Sequence, residues 1–360
     1  MAEFETKQNR IQDLLAKHQL EALLLQRVSS FAWATCGAAS YINTAATTGE
    51  ASLLITPSGR YVLTNNIEAP RLEQEEQLRA QGWQFRVDRW HDTPLPVAQG
   101  LKLGADVAYP GAVNLDGEIA HLRADLLPEE GARFRALGQL CAEAMDCAIR
   151  AARPGQTEHQ LAARLEEEAH SRGAQPTVVL IATDERIFNF RHPLPTGKTL
   201  ERYGMLILCG RQRGLVASIT RLVHFGALPA DLRRKMGATA RVDAAFIAAT
   251  RPGRSLGEVF QRAVDAYAEA GFPHEWHLHH QGGPAGYEPR EYLGRPGAAE
   301  VVTAGQVYAW NPSITGTKSE DTILVGERGN DVLTAIPGWP SLKVELDDGQ
   351  KLARPAILEV

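Results

Sequence analysis

The second half of this chain states one pattern twice. Arg153-Pro-Gly-Gln-Thr157 recurs as Arg251-Pro-Gly-Arg-Ser255, each time between two stretches with helical apolar spacing. Proline and glycine break the first helix of each pair. Thr157 and Ser255 then read as N-caps of the second helix, because a short side-chain oxygen there accepts an N–H that has no partner within the helix. Further on, Gly204-Met-Leu-Ile-Leu208 corresponds to Gly305-Gln-Val-Tyr-Ala309 at nearly the same offset. Pro-Gly alone is common punctuation, whereas several elements returning in order mark a repeated supersecondary unit. Each half reads helix, Arg-Pro-Gly, helix, hairpin. Two such halves predict an α+β domain with an internal pseudo-twofold repeat and a pocket lined by both hairpins.

The first third follows another rhythm. Arg10 to His18 has helical spacing, Ala22 to Leu25 is a short apolar run, and Ser52 to Thr56 and Tyr61 to Thr64 flank a Pro57-Ser58-Gly59 turn. This is an α/β pattern. It closes near Tyr109 to Leu127, before an amphipathic helix from Glu129 to about Ala152. The chain of 360 residues exceeds one ordinary core, and the expected domains are residues 1–125 and 126–360. A net charge of -5, spread without long like-charge blocks, excludes nucleic acid as a partner. No apolar run approaches the roughly 18 residues that span a bilayer, and Met1 to Gln12 is too polar for a signal peptide. The expectation is a cytoplasmic protein with no membrane partner. Cys36, Cys141, Cys147 and Cys209 follow no metal-ligand spacing and read as reduced, mostly buried thiols.

The two hairpins carry the chemistry. A turn centred on Gln212 and Arg213 sets Ile207 opposite Ser218, and a turn at Thr315 and Gly316 sets Asn311 opposite Glu320. Facing side chains lie about 4.5–5.5 Å apart at Cβ, which suits carboxylates that clamp two ions about 3.5–4 Å apart. Of the four, only Glu320 is an acid.

Arg153-Pro-Gly-Gln-Thr-Glu158, Arg191-His-Pro-Leu-Pro-Thr196, Ser218-Ile-Thr-Arg221, Gly282-Gly-Pro-Ala-Gly286 and Ser319-Glu-Asp-Thr322 occur in this order along nearly the whole chain. In order and spacing they resemble the landmarks of the creatinase, prolidase and Xaa-Pro aminopeptidase family. That resemblance implies an α/β N-terminal domain followed by the α+β pita-bread domain. It also implies a homodimer, with Asn65 to Glu68 placed to reach a partner subunit. The family's metallopeptidases hold two metal ions with two aspartates, a histidine and two glutamates. Those slots fall here on Ile207, Ser218, Gly283, Asn311 and Glu320. Isoleucine and glycine offer no ligand atom, and serine and asparagine offer neutral oxygens in place of anions. No metal or other cofactor is therefore expected.

His192 matches a histidine that the family's peptidases use near the scissile bond and that creatinase, itself metal-free, uses as its acid/base. Trp276-His-Leu-His-His-Gln281 reads as a strand that puts His277 and His279 on one face and His280 on the other. The expected catalytic residues are His192, His279 and Glu320, with Arg221, His280, Tyr287 and Asn311 contacting the ligand. In the creatinase-like reading His279 and Arg221 bind an anionic end and Glu320 a cationic one. Other readings remain open: a Glu320–Arg221 structural pair, an Arg290–Glu291 pair, a Cys209 thiol nucleophile, and a single metal on His277, His279 and Glu320. Two functions compete, both acting on a small-molecule or peptide ligand. One is a metal-independent C–N hydrolase of a small amino-acid-like or guanidino compound, and the other is an inactive homologue that binds a peptide or protein. A metal-dependent Xaa-Pro dipeptidase stands behind both.

Overall fold

The computed structural model describes residues 2–92, 100–346 and 349–360. They divide into two compact units, Met1–Ala124 with Arg213–Leu215, and Asp125–Gln212 with Val216–Val360. In the first unit α1 (Ala2–His18), β1 (Ala22–Arg27), α2 (Val28–Ala34), β2 (Thr48–Ile55), β3 (Arg60–Asn65), α3 (Ala69–Gln74), β4 (Gln84–Asp88), β5 (Leu103–Ala105), β6 (Val113–Asn114) and α4 (Asp116–Ala124) follow one another. The strands form one sheet in the order β4-β3-β2-β1-β5-β6. Leu23, Leu24 and Leu25 of β1 are buried, as a continuous apolar run at the centre of a covered sheet requires.

The second unit starts with α5 (Pro128–Ala151), α6 (Glu158–Ser171), β7 (Gln175–Thr183), α7 (Glu185–Asn189), β8 (Tyr203–Gln212) and β9 (Leu215–His224). Helices α8 (Ala230–Ala249) and α9 (Leu256–Glu269) then lead to β10 (Gly282–Ala285), β11 (Val307–Trp310), β12 (Ser313–Ile314), β13 (Thr317–Lys318), β14 (Asp321–Val325) and β15 (Asn330–Val332). Strands β16 (Ser341–Glu345), β17 (Lys351–Pro355) and β18 (Leu358–Glu359) close the chain. The repeat extends to single hydrogen bonds. Thr157 and Ser255 both cap their helices in reciprocal boxes, with Gln160 and Glu258 respectively. The Gly155 amide donates to the Leu200 carbonyl at 2.8 Å, and the Gly253 amide to that of Val302 at 2.9 Å. Each half owns a four-stranded sheet, β18-β9-β8-β7 and β10-β11-β14-β15. The α8 and α9 helices pack on the second through Val242, Phe246, Phe260 and Tyr267, and the Phe246 and Trp310 rings stack at 4.4 Å. Each such buried side chain contributes about 1.5–3 kcal/mol.

The second hairpin has the expected register. Trp310 pairs with Asp321 and Ser313 with Lys318, so Asn311 stands opposite Glu320. The first hairpin corrects the sequence reading. Arg213 and Gly214 take φ of 49° and 81°, the left-handed pair that a two-residue type I′ turn demands. The turn thus sits one residue later than expected, and every facing pair moves with it. The Ser218 hydroxyl meets the Cys209 thiol at 3.3 Å, while Ile207 lies in an apolar cluster with Leu180, Met205 and Leu222.

Candidate active site

The loop that carries His192 is tied down on both sides. Glu158, at the start of α6, is fully buried and accepts from the Thr183 amide and hydroxyl at 2.9 and 3.0 Å. It also accepts from the Thr196 amide and hydroxyl at 2.9 and 2.7 Å, and it pairs with Arg186. Burial pushes its pKa up, but Arg186 and the threonine hydroxyls outweigh this and hold it below the ordinary value. On the other side Arg191 Nη2 donates to Glu275 Oε2 at 2.8 Å and to the Thr315 hydroxyl at 2.9 Å. His192 therefore stands on a loop fastened to α6 and to the tip of the second hairpin.

The segment after Glu275 is not a strand. Glu275–Leu278 is a 3-10 turn, and His279, which follows it, is extended. The Gln281 side-chain amide holds this geometry by donating to the His279 carbonyl at 2.6 Å. His277 consequently stacks on Trp276, with ring centroids 3.6 Å apart. His279 and His280 instead join His192, and the expected split of His279 from His280 is overturned. The Nε2 atoms of His279 and His192 are 2.9 Å apart. One ligand nitrogen from each of the three rings lies within 4.8 Å of the others. Burial lowers all three pKa values, that of His279 to about 2 and that of His280 to about 4. Lys318 adds to the fall in each, so the three rings are neutral near pH 7. His279 Nδ1 is buried and has no hydrogen-bond partner among the described residues. A proton there would be stranded, which favours the tautomer that donates from Nε2 and leaves His192 Nε2 as acceptor.

Beside the histidines Glu320 is buried and ionised. Burial alone would raise its pKa, but Lys318, Arg290 and the Thr220 hydroxyl lower it to about 2. Thr220 Oγ1 donates to Oε2 at 2.6 Å, Lys318 Nζ lies 3.0 Å from Oε2, and Arg290 Nη2 donates to Oε1 at 2.9 Å. Arg290 also reaches the Ser218 hydroxyl at 3.2 Å. Both carboxylate oxygens are thus engaged by cations, which contradicts the expectation that Glu320 receives a cationic substrate end. Lys318 and Thr220 escaped the sequence reading, although Lys318 shares the Glu320 face by simple alternation.

Other expected roles move as well. Arg221 is buried and donates to Asp321 Oδ1 at 2.8 Å and to the Thr334 carbonyl at 3.1 Å. It touches only the main chain of Glu320, at 3.3 Å, so it braces the core and is neither a ligand contact nor the partner of the Glu320 carboxylate. The Tyr287 hydroxyl donates to Glu130 Oε1 at 2.6 Å, which points it at α5 rather than at a substrate. Glu291 accepts from the Tyr287 and Glu288 amides, so Arg290 is paired with Glu320 instead. The buried Cys209 thiol has its pKa raised by burial and by Glu320, the opposite of an activated nucleophile. Asn311 keeps a buried Oδ1 with no partner among the described residues.

At Gly283 a Cβ would lie 2.3 Å from the Tyr292 carbonyl oxygen and 2.9 Å from the Gly294 nitrogen. Backbone occupies the space that a side chain needs. Gly283→Ala is accordingly expected to lower stability by about 1–3 kcal/mol through overpacking, read as a lower midpoint in urea. An unchanged midpoint would mean that the 292–294 segment yields freely.

Comparison with known proteins agrees with this architecture. The model of metallopeptidase family M24 matches residues 132–327. The chain belongs to that family. Prolidase from Pyrococcus horikoshii superposes on it with a TM-score of 0.78 at 20% identity, covering 92% of this chain and 98% of the prolidase. An Xaa-Pro dipeptidase from Bacillus anthracis gives 0.79 at 18% identity over 99% and 100% of the two chains. At such identities the likeness concerns the pita-bread fold alone. An agropine synthesis cyclase from Rhizobium rhizogenes is 32% identical over 154 residues, 40% of this M24 chain and 39% of the cyclase. This chain therefore matches well under half the length of that relative. Among the described residues no helix is long and apolar enough to cross a membrane.

Proposed function

We propose that this M24 member is a metal-independent enzyme that transfers protons at a C–N bond of a small, carboxylate-bearing amino-acid-like or guanidino compound. The observation that carries the reading is the neutral His192–His279 pair beside a carboxylate whose oxygens are already held by Lys318 and Arg290. Two cations face one anion, so the excess charge favours the anionic end of a ligand. Asn311, with its free amide oxygen, and His280 stand ready to orient the rest.

The family's two-metal donor set does not fit these residues. A dinuclear centre needs anionic ligands, whereas Ser218, Gly283 and Asn311 supply none, and Ile207 is replaced across from Ser218 by a protonated Cys209. Ammonium and guanidinium groups bind Glu320 in place of divalent ions. The three-histidine cluster has suitable nitrogens for one transition metal, but Lys318 opposes a second cation there. His192 is the base in this reading, because its lone pair faces the pair's shared proton and its ring is the more accessible one. When a ligand displaces the His279 N–H, the His192 Nε2 lone pair takes a proton from water or from an internal nucleophile, and the same ring, now an imidazolium, gives that proton to the leaving nitrogen while the neutral His279 ring holds it in place. A cyclase among the relatives supports a non-peptidase reaction on this fold, since ring closure needs the same two proton transfers.

A second reading, an inactive homologue that binds a peptide, is favoured by the absence of an activated nucleophile at Cys209. The two readings share one expected result: purified protein dialysed against zinc or manganese retains well under one ion per chain by elemental analysis, and Xaa-Pro dipeptides are not cleaved with either metal added. Two tightly held ions with metal-dependent cleavage would overturn both. Turnover of a guanidino or N-acyl amino acid without added metal would separate the first from the second.

A further inference from the structure

Alternation sorts the second hairpin into two faces. Tyr308, Trp310 and Ile314 on its first arm and Ile323 and Val325 on its second lie in the core formed with α8 and α9. The residues between them point the other way. Ser313 opposite Lys318, like Asn311 opposite Glu320, therefore faces the candidate active site. Asn311 and Ser313 are only 3% and 2% exposed. Yet Asn311 Oδ1 and Ser313 Oγ have no hydrogen-bond partner among the described residues. The main chain beside them is satisfied: the Asn311 amide donates to the Gln281 carbonyl at 3.0 Å, and the Ser313 amide to the Tyr267 hydroxyl at 3.0 Å. Gln281 in turn holds the His279 carbonyl, so the two open oxygens stand on the segment that anchors the histidine turn.

A buried polar atom without a partner is destabilising unless a ligand completes it, and each of these two asks for a different group. Ser313 faces Lys318 across the hairpin, at the Cβ separation of about 4.5–5.5 Å usual for such pairs. An ammonium has three N–H donors, of which Lys318 gives one to Glu320 Oε2 at 3.0 Å. A hydroxyl and an ammonium side by side can both donate to one carboxylate. An amide oxygen only accepts, so Asn311 requires an N–H. Positions two apart on a strand are separated by about 6.6–6.8 Å, a span that a carboxylate and a nitrogen on its neighbouring carbon cover with one hydrogen bond at each end.

We infer that Ser313 and Asn311 select the substrate: Ser313 donates, beside Lys318, to its carboxylate, and Asn311 accepts an N–H from the nitrogen on the carbon next to that carboxylate. The inference rests on the carboxylate-bearing compound proposed above and narrows it. An acylated glycine-type nitrogen keeps the hydrogen that Asn311 needs. An acylated proline nitrogen has none.

N-acetylglycine and N-acetylsarcosine, titrated into the full chain and followed by the histidine ring proton signals, test the assignment, because they differ only in a methyl group that replaces this hydrogen. N-acetylglycine is expected to saturate one site and N-acetylsarcosine to bind roughly tenfold more weakly. Ser313→Ala should weaken both about tenfold, whereas Asn311→Leu should weaken N-acetylglycine alone and erase the difference. Each substitution removes an unsatisfied buried atom at similar shape, so the ligand-free variants should melt no lower than wild type. Equal affinity in Ser313→Ala, or a discrimination that survives in Asn311→Leu, would overturn the inference and leave the proposed function standing. Ligand-free melting below that of wild type in both variants would also overturn it, since the oxygens would then have partners of their own. No saturable binding of N-acetylglycine to wild type would remove the anionic end of the proposed substrate as well.

Discussion

His192→Ala is expected to lower turnover by roughly 10²–10⁴-fold while leaving the melting temperature and the far-ultraviolet spectrum unchanged. In the proposed metal-independent reaction no metal-bound hydroxide attacks, so a positioned side chain must move the proton, and removing such a group costs about that factor. The fold survives because the loop is fastened by Arg191 and by Thr196 on Glu158, not by the imidazole. The pH profile supplies a second readout. Burial and Lys318 lower the His192 pKa from the ordinary 6.5, so the base is neutral at pH 7. Activity should fall on the acid side only below about pH 6.5, and that limb should vanish with the residual rate of the variant. Guanidino acids, N-methylated amino acids and N-acyl amino acids, screened first by thermal shift, provide the substrate. A compound turned over equally well by wild type and His192→Ala would remove the histidine pair from the mechanism and leave the peptide-binding reading.

The repeat was legible because it rests on local rules. Pro-Gly ends a helix and Thr157 or Ser255 starts the next whatever surrounds them, and the structure repeats even the bonds between Gly155 and Leu200 and between Gly253 and Val302. The second hairpin was legible for the same reason: Gly316 at φ 98° marks its turn, and the facing pairs count outward from it. The first hairpin was misread by one residue because Arg213, an ordinary side chain, adopts a left-handed conformation that only the following glycine advertised. That slip exchanged Cys209 for Ile207 across from Ser218.

What no local rule contains is which charges meet. Arg221, Arg290 and Lys318 are all cations near Glu320 in sequence or motif, yet two of them bind its carboxylate and one turns to Asp321. The choice depends on the bridge between Thr220 and Glu320 that joins the two hairpins. Thr220 is thereby brought to the carboxylate, while the neighbouring Arg221 points to the opposite side. Likewise the histidine run was read as a strand, because alternation is the default for an extended segment. Its 3-10 turn follows from Glu275, whose carboxylate is occupied by Arg191 and Thr315 from distant parts of the chain. Long-range partners decide such geometry, and they are absent from a window of ten residues.

Glu320→Gln should be the most destabilising conservative change in the molecule, costing roughly 3–5 kcal/mol, because it removes one member of a buried ionic cluster and leaves Lys318 and Arg290 uncompensated. Glutamine keeps the shape and an acceptor for Thr220, so the loss isolates charge from packing. Its pH dependence has a definite sign. Folding lowers the Glu320 pKa from 4.5 to about 2, so its contribution is complete above pH 4.5 and disappears as the pH falls toward 2. His279 and His280 act in the same direction, since their folded values of about 2 and 4 lie below the unfolded 6.5: as the pH falls below 6.5 the unfolded chain takes up protons that the folded one refuses. Wild type should therefore weaken in two stages on acidification, and Glu320→Gln should retain the first and lose most of the second. Lys318→Met added to Glu320→Gln should recover part of the stability by removing one stranded cation. Urea midpoints measured between pH 3 and pH 8 read all three chains. A Glu320→Gln midpoint equal to that of wild type at pH 7 would mean that the carboxylate is not the counter-charge of Lys318 and Arg290, and the excess positive charge on which the anionic substrate was assigned would have to lie elsewhere.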